Sequence, residues 1–83
     1  MNEKNIHLKA LSRTKILILG GSHRDIPLIQ ASQALGYYVI TLGAIKTYLG
    51  HNYSDEKFLL DFNDLDAVKQ IIQDENVDYI LAG

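Results

Sequence analysis

The sequence contains no cysteine and no tryptophan, a single proline, and no long apolar segment. Without cysteine, the chain forms no disulfide, has no thiolate nucleophile and offers no sulfur ligand to zinc, and a small domain without disulfides fits a reducing compartment. No apolar run approaches the roughly 18 residues that span a bilayer, and residues 1–14 lack the apolar core of a secretion signal. We therefore expect a cytoplasmic protein that does not bind membranes.

A strong charge of either sign is also missing. The chain has 8 lysines and arginines against 10 aspartates and glutamates, which gives a formal net charge of -2. No basic stripe interleaved with aromatic residues is present, so we expect no nucleic-acid partner. The apolar content of 47% and the length of 83 residues indicate one small globular domain.

The predicted fold is organised around residues 15–23, an apolar run that ends abruptly on Gly20 and Gly21. Aliphatic residues without a polar interruption predict a strand buried on both faces, as in a parallel sheet covered by helices. The glycines predict a sharp turn, and the spacing after them predicts a helix over residues 26–35. At such a junction, unpaired N–H groups and the positive end of the helix dipole point into the crevice where ligands bind.

The rest of the chain continues the alternation of strands and helices. Apolar runs predict strands over residues 37–42, 57–60 and 77–82, and helical spacing predicts a second helix with Asn63 as its N-cap. Right-handed crossovers between parallel strands then give a three-layer α/β domain with four strands in the order 3-2-1-4. Residues 1–14 are expected to form a polar N-terminal arm, and residues 43–55 a loop with a functional role. The apolar helix faces are expected at Leu28, Ala31, Ala34 and Leu35, and at Leu65, Val68, Ile71 and Ile72.

Several well-known ligand sites can be compared with the residues at this junction. A dinucleotide fingerprint laid from Gly20 requires glycines where the chain has Ser22 and Asp25, and no acid ends the second strand. A P-loop is excluded because no Gly-Lys-Ser/Thr follows. A receiver-type phosphoacceptor domain would use Asp61, but Gly20 and Gly21 stand where its acidic pair belongs, which favours helix capping for Asp61. The three histidines show no metal-ligand spacing, so we assign no metal.

His23 and Arg24 are the polar side chains of greatest interest, because they follow the glycines at the predicted start of the helix. A pair of donors beside free N–H groups suits a carboxylate or a phosphate. The alternative is a solvated turn in which Asp25 neutralises Arg24. The sequence alone leaves both interpretations open.

Five features of the chain occur together in one known family. They are Lys-Ile-Leu-Ile-Leu-Gly-Gly-Ser-His at 15–23, Pro-Leu-Ile at 27–29, Ala-Leu-Gly-Tyr at 34–37, Gly-His-Asn-Tyr-Ser-Asp at 50–55, and Asp61. Together they resemble the N-terminal, or pre-ATP-grasp, domain of the ATP-grasp ligases, especially carbamoyl-phosphate-synthase-like, biotin-carboxylase-like and phosphoribosylglycinamide-type members. The resemblance covers nearly all of residues 15–83 and implies a Rossmann-like fold.

The resemblance implies a parent enzyme that uses ATP and Mg²⁺ to turn a carboxylate into an acyl phosphate, which an amine or similar nucleophile attacks. In this family the groups that hold ATP and magnesium lie in two later domains. Residues 15–83 would then be a pre-ATP-grasp domain truncated at its C-terminal end, without catalysis or bound cofactor of its own. The family's glycine loop contacts the acceptor substrate, which carries over to Gly20, Gly21, Ser22 and His23, and we add Arg24 as a candidate substrate-binding residue. The implied partners are a small carboxylate or amine and the downstream ATP-grasp domains.

One departure from the family bears on the substrate. Purine-pathway members carry Glu or Gln in the glycine loop where this chain has His23, Arg24 and Asp25, so the basic pair favours an acidic substrate such as an amino acid or a peptide carboxylate. Two alternatives to a ligase domain stay open. One is a stand-alone module that binds a nucleotide or a coenzyme; the other is an interaction domain that assembles, for example as a homodimer, through the exposed edge of its fourth strand.

Overall fold

The computed structural model describes residues 13–82, which form one sheet with a helix on each of its faces. Two short 3-10 helices, His23–Asp25 and Leu49–Asn52, lie in the connections after the first and second strands. The strands are β1 (Lys15–Leu19), β2 (Tyr38–Leu42), β3 (Glu56–Phe58) and β4 (Tyr79–Ala82), and the helices are α1 (Ile26–Ala34) and α2 (Leu65–Asp74).

The sheet is parallel throughout, in the order β3-β2-β1-β4, which confirms the predicted α/β fold and strand order. β1 is a central strand, and its Leu17 lies opposite Ile40 of β2 and Ile80 of β4. All carboxyl ends therefore meet at one edge of the sheet, where the loops after β1 and β2 approach each other. The backbone joins them there, since the Gly20 N–H donates to the Leu42 carbonyl at 2.8 Å.

The hydrophobic core has one layer on each face of the sheet, because successive strand residues point in opposite directions. Ile16 and Ile18 of β1 pack on the α1 side with Ile29 of that helix. Leu17 packs on the α2 side with Val68. The uninterrupted apolar sequence of β1 is thus explained by burial on both faces.

The apolar face that the sequence predicts for α1 is wrong. The helix turns Ile29 and Ser32 towards the sheet, whereas Leu28 is exposed and Leu35 is 73% exposed. Apolar residues occur all around α1, so their spacing does not single out one face. In α2 the predicted face packs on the sheet except for Leu65 in the first turn, which is exposed.

Some predicted boundaries also shift by one or two residues. β3 ends at Phe58 instead of residue 60, and β4 begins at Tyr79 instead of residue 77. The predicted N-cap Asn63 is wrong, because Asp64 occupies the N-cap of α2 and its Oδ1 accepts the Ala67 N–H at 3.3 Å. Asp61 accepts the Asn63 N–H at 2.9 Å, which closes a turn just before the helix, so Asp61 does not cap the helix as expected.

Residues 1–12 of the predicted arm, and Gly83, lie outside the described residues. Thr14, the last residue of that arm, already joins the sheet, because its carbonyl accepts the Tyr38 N–H at 2.9 Å. The Arg13 guanidinium lies 5.3 Å from the centroid of the Tyr38 ring. No helix within residues 13–82 combines the length and the apolar character that a membrane crossing requires.

Candidate functional site

The candidate site begins with the loop that leaves β1. Gly20 and Gly21 adopt φ angles of 135° and 91°, which side chains of L-residues rarely tolerate, so the two glycines are required by the backbone. The chain then passes through the 3-10 helix His23–Asp25 before α1 begins. A short turn therefore separates the glycine loop, residues 20–22, from the N-terminus of α1.

Asp25 holds the glycine loop from below. Its side chain is 6% exposed, and its Oδ2 accepts the N–H groups of Gly21 at 2.9 Å and Ser22 at 3.0 Å. The Gly20 N–H bonds to β2, so the N–H groups of residues 20–22 are all used within the chain and do not contribute to the unpaired N–H groups expected at this junction. Within residues 13–82, Asp25 forms no ion pair, so it does not neutralise Arg24 as the alternative interpretation supposed.

His51 supports the loop from the other side. It lies in the 3-10 helix Leu49–Asn52 and is 2% exposed. A Cβ atom on Gly21 would lie 2.6 Å from His51 Nε2 and 2.7 Å from its Nδ1, so only glycine leaves room for the ring. The second loop of the site thus packs directly against the first.

Hydrogen bonds fix the tautomer of His51. The Ser54 hydroxyl donates to the His51 carbonyl at 2.9 Å, so it can only accept from the Thr41 hydroxyl, which lies 2.9 Å away. Thr41 Oγ1 in turn accepts from His51 Nδ1 at 2.8 Å, which places the hydrogen on Nδ1. Nε2 then carries the lone pair, and among residues 13–82 it has no hydrogen-bond partner. Burial, followed by the charge of Lys57, lowers the pKa of His51 and keeps the ring neutral, although the Asp25 carboxylate acts in the opposite direction.

An open cavity of about 310 Å³ lies beside the glycine loop, at the carboxyl end of β1. It contains four of the five predicted substrate-binding residues, while Gly21 is buried beneath them, against His51. His23 and Arg24 are exposed, whereas Asp25 is buried. The lining residues are Leu19, Gly20, Ser22, His23, Arg24, Asp25 and Tyr48.

Besides Leu19, which ends β1, two residues that line this cavity are not among the predicted site residues. Asp25 was treated as a solvated counter-charge, although its spacing from Ser22 is that of a capping box and could have indicated a bond to the loop backbone. Tyr48 lies in the aperiodic loop after β2, and the length of that loop was the one available signal. No group of three potential metal-ligating His, Cys, Asp or Glu side chains occurs within residues 13–82.

A second polar cluster lies at the amino ends of the strands, opposite the cavity, and none of its residues lines the cavity. Tyr38 donates its hydroxyl to Glu56 Oε1 at 3.0 Å, and Lys15 Nζ lies 3.6 Å from Glu75 Oε1. Burial and the neighbouring Glu75 raise the pKa of Glu56. Because Lys15, Tyr38 and Glu56 begin their strands, the cluster marks the amino ends of the sheet, far along the strands from the glycine loop.

Comparisons with known proteins show the fold. No protein family and no curated protein matches the sequence. Among solved structures, glycinamide-RNase-transformylase T from Mycobacterium tuberculosis superposes with a TM-score of 0.75 at 20% identity, over 82% of this chain and 20% of that chain. N5-carboxyaminoimidazole ribonucleotide synthetase from Thermotoga maritima superposes with a TM-score of 0.73 at 21% identity, over 84% and 19%. The chain thus spans about a fifth of each of these proteins.

Proposed function

We propose that residues 15–83 are the substrate-side domain of an ATP-grasp ligase that joins a carboxylate to an amine or a similar nucleophile. The observation that carries this proposal is the cavity at the carboxyl end of β1, which collects Gly20, Ser22, His23 and Arg24. A crevice at this edge of a parallel α/β sheet is the usual position of a ligand. The fold shared with two enzymes, one of them named a synthetase, supports the same proposal.

The proposed reaction divides the work between this domain and later ones. A carboxylate oxygen attacks the terminal phosphorus of ATP, ADP leaves, and an acyl phosphate forms. The nucleophile's nitrogen then attacks the acyl carbon, inorganic phosphate leaves, and the nitrogen loses a proton to solvent. ATP and Mg²⁺ would be held by domains downstream of this chain. This chain would bind and orient the acceptor substrate and would not catalyse the reaction alone.

The test follows one oxygen atom through this reaction. The native product is recovered from its source cell with an antibody against this chain and screened for ADP formation with standard amino acids and small amines. An active carboxylate is then supplied with ¹⁸O in its carboxyl group. We expect one labelled oxygen in the released phosphate, because the acyl phosphate breaks between carbon and oxygen. ADP formation that needs no carboxylate, or unlabelled phosphate, would contradict the proposal.

A matched pair of substitutions shows whether the cavity serves that reaction. In the native product, Arg24→Gln should lower kcat/KM for the acceptor at least tenfold, about the effect of one lost charged hydrogen bond, with KM for ATP unchanged. Arg13→Gln removes an arginine outside the cavity and serves as the control. An equal effect of the two substitutions would place the acceptor elsewhere.

A second candidate function, assembly through β4, is favoured by the exposure of that strand. Among residues 13–82, β4 is an edge strand that pairs with β1 on one side, and its Tyr79 is 59% exposed. Ile80 beside it is exposed as well. An unprotected edge can pair with another strand. Sedimentation equilibrium should then show a dimer that Ile80→Lys dissociates, whereas a monomer at high concentration would contradict this function.

A further inference from the structure

The acidic residue Asp25 lies at the base of the cavity beside the glycine loop. Asp25 is buried there, and the hydrogen bonds that it accepts from Gly21 and Ser22 all use Oδ2. Among residues 13–82 no donor bonds to Oδ1, and no lysine, arginine or histidine forms an ion pair with this side chain. Oδ1 is not fully enclosed, so it can accept a hydrogen bond from a donor that enters the cavity, and a charged N–H group is the strongest such donor.

Two basic residues lie at the exposed rim of the same cavity. Arg24 and His23 both line the cavity, and within the described chain no carboxylate forms an ion pair with either. The arginine guanidinium is always charged, and its planar fork of donors matches the two oxygens of a carboxylate. The cavity therefore presents an acceptor at its base and donors at its rim.

Two residues with large apolar side-chain surface, Leu19 and Tyr48, also line the cavity. Leu19 lies on one side, and Tyr48, from the loop after β2, contributes an aromatic ring. The volume of about 310 Å³ is at the small end of the range for ligand pockets. These dimensions suit a small molecule with a compact apolar part.

We propose that this cavity binds a small zwitterion with an apolar side chain, the chemistry of an α-amino acid. The ammonium group donates to Asp25 Oδ1, and the carboxylate accepts from Arg24 and His23. The side chain packs against Tyr48 and Leu19. The assignment of this zwitterion as a substrate rests on the proposed function; its binding does not. A purely anionic ligand such as a phosphate ester fits less well, because the buried Asp25 carboxylate repels an anion at the base.

The proposal can be tested by removing one charge of the ligand at a time. L-leucine carries all three features; 4-methylpentanoate lacks the ammonium group, and 3-methylbutylamine lacks the carboxylate. Each probe is titrated into the full ¹⁵N-labelled chain, and the amide shifts of residues 20–25 and Tyr48 are followed by NMR. We expect L-leucine to bind at least about tenfold more tightly than either analogue, because each analogue loses one charge-assisted contact.

The variant Arg24→Gln tests the contact with the ligand carboxylate at the rim without changing Asp25 at the base. It should lower the affinity for L-leucine towards that for 3-methylbutylamine, with His23 retaining part of the carboxylate contact, and leave the affinity for 3-methylbutylamine unchanged, since the amine does not use Arg24. Arg13→Gln, outside the cavity, should change neither value. Asp25 is not substituted, because a change there would also remove the acceptor of two loop N–H groups. Its contact is tested instead by comparing L-leucine with 4-methylpentanoate.

Several results would overturn the proposal. They are equal affinity for L-leucine and 4-methylpentanoate, equal affinity for L-leucine and 3-methylbutylamine, an unchanged affinity in Arg24→Gln, or no shift with any probe. The proposed ligase reaction fails separately, through the labelled-oxygen experiment on the native product. Selective leucine binding without carboxylate-dependent ADP formation would uphold the zwitterion site and refute the ligase.

Discussion

Replacing Gly21 by alanine should destabilise the chain for two separable reasons. The φ angle of 91° costs an L-residue about 1–2 kcal/mol. The new methyl group would also lie 2.6 Å from Nε2 of the buried His51 ring, and overpacking of this kind costs about 1–3 kcal/mol. We expect a total loss of about 2–5 kcal/mol, which is a large part of the roughly 4–12 kcal/mol typical of a domain of 83 residues.

Gly36 supplies the matched control. Its φ angle of 89° is nearly the same as that of Gly21, yet a Cβ atom there would meet nothing within 4 Å. Gly36→Ala should therefore cost only the backbone contribution, about 1–2 kcal/mol. The difference between the two variants measures how firmly His51 is packed against the loop.

The assay is urea unfolding followed by far-UV circular dichroism near neutral pH. His51→Ala and the double variant Gly21→Ala/His51→Ala complete a cycle, because removing the ring makes room for the methyl group. We expect the double variant to be more stable than the sum of the single effects predicts, by at least about 1 kcal/mol. Equal losses for Gly21→Ala and Gly36→Ala, together with additive effects in the cycle, would refute the contact between the two loops.

Three further predictions concern the stability contributed by His51, Glu56 and Asp55. Burial lowers the pKa of His51 in the folded chain, so stability is complete above the usual value of 6.5 and falls below it. The loss should reach at most about 1.4 kcal/mol at about pH 5.5, and an unchanged slope in His51→Asn under urea unfolding would refute this assignment. Burial and Glu75 raise the pKa of Glu56, so its contribution to stability is present below 4.5 and lost as the pH rises. Glu56→Gln should therefore stabilise the chain near neutral pH by less than about 1 kcal/mol in urea unfolding, which a less stable variant would contradict. Asp55→Ala removes the acceptor of the Val39 N–H, at 2.8 Å, and should cost about 1–3 kcal/mol of unfolding free energy, whereas no loss would show that water replaces the carboxylate.

The sheet could be predicted from the sequence because its signals are local. Ile16, Leu17 and Ile18 follow one another without a polar residue, and burial on both faces of a parallel sheet is the arrangement that such a run favours. Gly36, which follows α1 and Leu35, has a positive φ angle, the conformation in which glycine commonly ends a helix. Right-handed crossovers then left few topologies, and the observed order was among them.

The packing of α1 and the supports of the glycine loop could not be predicted in the same way. Ser32 is buried while Leu35 is exposed, since the orientation of α1 is set by its contacts with the sheet and not by its own apolar content. His51 reaches Gly21 from thirty residues further along the chain, and no local spacing encodes that contact. Asp25 left a recognisable trace only through its distance from Ser22, which is that of a capping box.

The internal use of the loop N–H groups changes which part of the site can set specificity. In a glycine loop with free N–H groups, the backbone itself donates hydrogen bonds to the ligand. Here Asp25 accepts the N–H groups of Gly21 and Ser22, so in the proposed site the side chains that line the cavity supply the contacts that these two N–H groups do not. Substitutions at exposed positions such as His23 and Arg24 should therefore change which ligand binds at little cost in stability, whereas those at Gly21, Asp25 or His51 should unfold the loop first. Gly21 and Asp25 flank His23 and Arg24 in the sequence, yet the first pair supports the loop and, in the proposed site, the second pair selects the ligand.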